Sequence, residues 1–269
     1  MPSVRYTLSQ VLINLLLSSP TLANPLPAAP APSPEQSIYN VGGEAVYTPT
    51  SGGAAAAITA VPFHIEGGLI ASPPNVLSIT VINKHTAPIS TYHAHEAGGP
   101  TAIGGEAGSG TMAKGATAAF AVPTGWAGNV AVVEYGGGRT VAGDESLIEA
   151  NFKKPDGYTV AVADVDISYV NGFSLPIVCA CDGAGVVTGC NKNLWSLNQC
   201  PSDNGKGSCK NPLRSDTKAT SASAFFKPCQ GGAYTYVNDH NANSFGVCQS
   251  GKMTCCVGTA CDKSPKQPN

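Results

Sequence analysis

Three sets of side chains in this sequence have types and spacings that can support chemistry. The first is His93-Ala94-His95-Glu96, at the end of a run that alternates apolar and polar residues from Pro88. On a strand, residues two apart share a face, so His93 and His95 could grip one metal ion, with His85 or Glu96 as a third ligand. The downstream glutamate and later histidine that complete an H-x-H metal site are missing, and His240 falls in a distant element. The stretch therefore reads as a polar surface strand, and no metal or other cofactor is expected. The second set is a pair of carboxylates, Glu149 and Asp166, on the neighbouring strand candidates Ser146–Phe152 and Val165–Val170. Facing one another, two such groups divide acid and base roles, because like charge raises the pKa of one of them. Apart, they are solvated strand-end residues. The third set is the ten cysteines, all at Cys179 or beyond.

The elements that must hold these groups are short strands. Charged residues are only 12% and the formal net charge is −2, so no basic field exists to hold nucleic acid or an anionic membrane. With 31 Gly and 21 Pro and little helical periodicity, the chain reads as strands joined by turns. Strand candidates are Val76–Ile82, Pro88–His95, Ala116–Val122, Asn129–Tyr135, Ser146–Phe152, Tyr158–Val162 and Val165–Val170. Such a series predicts an all-β antiparallel sandwich or flattened barrel over 41–178. Within 44–61, Val46, Tyr47, Ile58 and Val61 leave an edge strand open. Beyond Cys179, cross-links replace core, so 179–269 is expected as a disulfide-rich loop domain with at most a turn or two of helix at Asn191–Leu197.

Residues 1–23 have the layout of a secretory signal: Arg5, the apolar run Val11–Leu17 and small residues before a cleavage site at Ala23. Residues 24–40 are a Pro/Ala-rich spacer. An oxidising compartment follows, in which an even number of cysteines pair. The expectation is a secreted, monomeric, extracellular or cell-wall protein. No nucleophile elbow, phosphate-binding loop or dinucleotide fingerprint occurs.

Longer stretches resemble thaumatin-like proteins. Leu77–Gly98 and Gly110–Tyr135 resemble the opening hairpins of that family. Ser146-Leu147-Ile148-Glu149-Ala150-Asn151-Phe152 is similar to its Leu-Ala-Glu-Phe strand, and Val165–Pro176 (VDISYVNGFSLP) to its Asp-Val-Ser-x-Val-Asp-Gly-Phe-Asn-x-Pro signature. Leu197–Pro201 and Phe225–Asp239 resemble two later landmarks in the same order, so the resemblance spans roughly Val76 to Cys248. It implies a flattened antiparallel β-sandwich with a disulfide-rich appendage and an acidic cleft that binds β-1,3-glucan, which some members hydrolyse weakly. The low cysteine number and a cysteine-free sandwich are similar to small fungal members. Of the cleft charges, the Glu falls on Glu149 and two Asp on Asp166 and Asp239, while Asn171 stands for an Asp and Asn129 for an Arg. The resemblance further implies Cys190–Cys229, Cys200–Cys209, Cys248 with Cys179 or Cys181, and a small loop joining Cys255-Cys256 to Cys261.

Glycosidic cleavage needs one protonated and one ionised carboxyl, about 5 Å apart for retention and roughly 6.5–9.5 Å apart for inversion. Glu149 is expected as the acid, Asp166 as base or nucleophile, and Asp239 as a shaper of the field. Tyr169, Phe173, Tyr234 and Tyr236 are either sugar platforms or core. Replacing Arg by Asn129 and Asp by Asn171 favours binding over turnover. The reading is a β-glucan-binding protein with Asp239, Asn171, Asn129, Tyr169 and Tyr236 as contacts, and with weak endo-β-1,3-glucanase activity left open. The alternative is a non-catalytic extracellular protein acting on a protein partner or cell surface in defence or host interaction.

Overall fold

The computed structural model describes residues 75–136, 142–156, 158 and 160–269, together with the backbone of a two-stranded ribbon, β1 (His64–Ile65) and β2 (Gly68–Leu69). The signal at 1–23, the spacer at 24–40 and the ambiguous stretch at 44–61 lie outside the described residues.

Alternation of apolar and polar residues builds most of the two main sheets, because a strand with one open face buries the side chains on the other; Trp126–Glu134 is the exception, buried on both faces up to its last residue. In β3 (Val76–Asn83) Leu77, Ile79 and Val81 are buried, and in β7 (Thr117–Pro123) Phe120 and Val122 are. Opposite them, β8 (Trp126–Glu134) buries Trp126, Val130 and Val132, β9 (Ser146–Lys153) buries Ile148, Ala150 and Phe152, and β10 (Val162–Ser168) buries Ala163, Val165 and Ile167. With β4 (Ile89–His95) and β6 (Gly110–Met112), these last form a five-stranded antiparallel sheet in the order β10-β9-β8-β4-β6. The fold is all-β. One strand, β10, stands where two short ones were expected at 158–162 and 165–170. Asp164 interrupts the apolar run, yet it sits on the outward face and breaks nothing.

The second sheet corrects the expected division at Cys179. Its order is β13-β12-β15-β3-β7-β5, with β5 at Gly104–Gly105, β12 at Ile177–Cys181, β13 at Gly185–Cys190 and β15 at Lys252–Val257. Three of these strands lie wholly or mostly beyond residue 178, so the sandwich is neither cysteine-free nor finished there. Strand β15 runs parallel to β3, the one parallel pairing in a sheet expected to be wholly antiparallel. The apolar residues of β12, β13 and β15 lie in the same core as those of β3 and β7.

Five disulfides account for all ten cysteines: Cys179–Cys255, Cys181–Cys248, Cys190–Cys229, Cys200–Cys209 and Cys256–Cys261. Cys179 and Cys255 are directly opposite on β12 and β15, and Cys248 takes Cys181. This number of cross-links is typical of proteins that fold in an oxidising compartment. Among the described residues no helix is long and apolar enough to cross a membrane.

Between Cys190 and Lys252 the chain is mostly loop. The one α-helix among the described residues, α1 (Leu194–Leu197), is capped by the Asn193 side chain, which accepts from the Trp195 N–H at 3.2 Å. A small ribbon of β11 (Gly172–Phe173) and β14 (Cys209–Lys210) docks these loops on the sandwich. Gly172 is required there, since a Cβ would fall 2.2 Å from the Asp144 carbonyl oxygen and 2.6 Å from that of Cys209. Phe173, fully buried, meets Tyr169 edge-on at 5.0 Å and Phe225 at 6.0 Å, filling the space beneath the ribbon.

Candidate functional site

Register brings three of the sequence-predicted residues into one row. Asp166 on β10 is directly opposite Glu149 on β9, which is directly opposite Asn129 on β8. Directly opposed antiparallel residues carry their Cβ atoms about 4.5–5.5 Å apart, on the same face of the sheet. Because Ile148, Ala150, Val165 and Ile167 fill the core from the other face, this row points outward. One step along, Asp164 is opposite Asn151, whose amide donates to Asp164 Oδ2 at 3.1 Å. The outer face of β8–β9–β10 thus carries Asn129, Glu149, Asn151, Asp164 and Asp166, and its far end is closed by the Lys153–Glu96 ion pair at 2.8 Å. Asp164 and Asn151 went unnoticed in the sequence, although alternation from Asp166 and Glu149 puts both on this face.

The edge of β10 is covered by the chain from Tyr234 to Gly246. Tyr234 exchanges backbone hydrogen bonds with Ile167 and Tyr169, Gly246 N–H donates to the Ala163 carbonyl at 3.0 Å, and the Ser244 hydroxyl donates to the Val165 carbonyl. Ser244 N–H also donates to Asp166 Oδ1 at 2.9 Å. Beneath this strap Asp164 and Asp166 are half-buried. Burial pushes the Asp166 carboxyl well above the usual carboxylate range, reinforced by the charges of Asp164 and Glu149. Burial also raises Asp164, opposed by hydrogen bonds from Asp166 and Asn151. Asp164 Oδ1 is buried without an N–H or hydroxyl partner, which fits a proton held on Asp166 and directed at Asp164. Burial thus raises both Asp166 and Asp164, two carboxyls beside the Glu149 that the sequence reading made the acid. Tyr234 is likewise pushed up, by burial first and then by Asp166 and Asp164.

The other expected contacts lie elsewhere. Tyr169 is a core residue with 0% exposure; its hydroxyl donates to the Cys190 carbonyl at 3.3 Å and accepts from Ile177 N–H at 3.1 Å, so no sugar reaches it. Asp239, also 0% exposed, gathers Gly231 N–H, Thr235 N–H and the Thr235 hydroxyl on Oδ2, closing its own loop. Its pKa is raised by burial against those donors. Tyr236 is 7% exposed; Tyr234, at 6%, packs with Val170, Val237 and Ala242 yet stays beside the acidic face, where Asp166, Asp164 and Glu149 act on its hydroxyl. Asn171 lies past the end of β10, where its carbonyl accepts from Asn211 N–H at 3.1 Å. The exposed aromatic residue of the strap is one the sequence did not single out: Phe245, 38% exposed and between Ser244 and Gly246, which anchor on β10, with Tyr158 edge-on at 6.3 Å.

No known family model and no curated protein matches this chain.

His93 and His95 do not converge. The His93 ring points into the sandwich, edge-on to Phe120 at 5.0 Å, and burial lowers its pKa. His95 is exposed, with Nδ1 2.9 Å from the Glu96 carbonyl, and His85 pairs with Glu134 at 2.8 Å. Among the described residues no group of three or more His, Cys, Asp or Glu is placed to hold a metal.

Chemically, the outer face offers a carboxyl that resists ionisation beside other carboxyl groups and two amides. That set can donate to and accept from sugar hydroxyls in the same layer. For hydrolysis, Asp166 is held by Ser244 and Asp164, and Asn129 brings no positive charge to the row.

Proposed function

We propose that this is a secreted thaumatin-like protein that binds β-1,3-glucan-type polysaccharide along the outer face of β8–β9–β10, as a binder rather than an efficient hydrolase. The observation that carries the reading is the in-register row Asn129–Glu149–Asp166 with Asp164 and Asn151 beside it. A sugar chain laid along this face meets acceptors and donors from three strands, and Phe245 beside Tyr158 offers an apolar platform at its edge. Secretion is supported by the five disulfides and by the signal-like layout of residues 1–23.

The test is co-sedimentation with insoluble β-1,3-glucan together with reducing-end release from laminarin, for wild type, Glu149→Gln and Phe245→Ala. Binding that weakens in both variants with no sugar released supports the proposal. Release that disappears in Glu149→Gln makes the protein a weak endo-β-1,3-glucanase using the same face. Absence of both sinks the glucan reading in favour of a protein partner.

A further inference from the structure

A second charged surface, of opposite sign, lies in the cysteine-rich half. Lys192, Lys227 and Lys266 line one open concavity of about 870 Å³ together with Gln230, Asn241 and Leu197. Among the described residues none of the three ammonium groups forms an ion pair with a carboxylate. Each is instead held by neutral acceptors. Lys192 Nζ donates to the Pro268 carbonyl at 2.7 Å, Lys266 Nζ to the Asn243 carbonyl at 2.7 Å, and Lys227 Nζ to Ser221 Oγ at 2.7 Å and Gln230 Oε1 at 2.8 Å. An ammonium has three N–H donors, so every one of these lysines keeps at least one unused.

Neutral acceptors fix the position of a charge without cancelling it. Three lysines oriented this way form a preorganised anion site, in a protein whose formal net charge is −2. A terminal carboxylate at Asn269, which also lines the concavity, would offset one of the three charges. Lys266 additionally borders the acidic face at Asp166.

The geometry points to a second saccharide subsite, one that takes an acidic sugar chain and seats its carboxylate or sulfate groups on Lys192, Lys227 and Lys266. The amides of Gln230 and Asn241 suit hydroxyl groups, and Leu197, 52% exposed, supplies an apolar face for a ring. A flat anionic bilayer does not reach the floor of a concavity, which favours a chain over a membrane. The site adjoins the glucan-binding face at Lys266 but shares no residue with it, so failure on laminarin leaves it standing.

The experiment measures retention of the full chain on immobilised polygalacturonate and heparin, with neutral dextran and phosphatidylserine vesicles in parallel, at low and high salt. The expected result is retention on at least one acidic polysaccharide, weakened by salt and absent on dextran. Lys192→Gln/Lys227→Gln should reduce affinity about tenfold, from two exposed charge contacts of under 1 kcal/mol each. Lys192→Arg/Lys227→Arg should hold within about twofold, because charge is kept. If the Gln pair fails to fold, Lys266→Gln carries the reading, with about a threefold loss expected. The proposal is overturned by unchanged binding in the Gln variants, by equal loss in the Arg pair, by retention on neither acidic polysaccharide, or by binding to vesicles alone.

Discussion

Replacing Asp166 separates two properties of its carboxyl group. Asp166→Asn keeps an oxygen to accept the Ser244 N–H, now met at 2.9 Å, and an N–H to direct at Asp164, while removing an acid whose ionisation the site opposes. Asp166→Ala keeps neither. It leaves the N–H of Ser244, a residue 2% exposed, without its acceptor and strips Asp164 of its proton-sharing partner. One orphaned buried donor costs about 1–3 kcal/mol. For a folded region of this size, that separates the two variants by about 2–12 °C in Tm, the Ala form being lower. The sign of the pH effect follows from the raised folded-state pKa. Above the ordinary aspartate range the native state holds a proton that the unfolded chain has released, so stability present at low pH is lost as pH rises through the folded-state pKa. Thermal melts with the disulfides intact, from pH 4 to pH 7, should therefore show Asp166→Asn gaining on wild type as pH rises. A pH-independent gap, or an Asn variant as unstable as the Ala variant at pH 7, would refute the shared proton and make Asp166 an ordinary ionised strand residue.

Asp239→Ala should destabilise by about 3 kcal/mol, since three buried donors lose one acceptor; denaturant unfolding measures it, and glucan retention per folded molecule should not change. Among the disulfides, Cys179–Cys255 spans 76 residues of sequence and Cys256–Cys261 only 5. Because the nested Cys181–Cys248 bridge still closes most of that loop, removing Cys179–Cys255 frees only about nine residues, and the chain-entropy model gives losses of about 2.5 and 2 kcal/mol for the two Cys→Ala double variants. A much larger loss for Cys179–Cys255 in chemical denaturation would mean that packing within the sheet, not chain constraint, sets its contribution.

Much of the sandwich was legible because alternation is a local signal. Val76–Ile82 and Ser146–Phe152 carry apolar side chains at every second position, and both became strands with nearly the expected ends. The boundary at Cys179 was misleading for a physical reason. Cysteine density reports cross-linking, and cross-links can lie inside a sheet as readily as in loops. Cys179 and Cys255 occupy facing positions on adjacent strands and contribute to the same apolar core as Leu77 and Phe120. The place of β15 beside β3 is non-local, and no feature of Lys252–Val257 names its partner.

The same distinction governs the acidic face. Strand alternation puts Glu149 and Asp166 on outward positions, but how strongly Asp166 resists ionisation depends on what covers it. Mutual repulsion is symmetric and does not choose. The symmetry is broken by a segment almost eighty positions further on: Ser244 and Tyr234 close over the β10 edge and cover Asp166 in part, while Asp164, its neighbour two residues back, supplies the second charge. Tyr169 and Asp239 illustrate the converse. Motif position brought them into the expected cleft, yet an aromatic ring between two apolar layers and a carboxylate closing its own loop gain more from burial with satisfied polar groups than from facing solvent. The strap thus acts on Asp166 in two opposed ways, its cover raising the carboxyl and the Ser244 N–H favouring the charged form, with burial the larger.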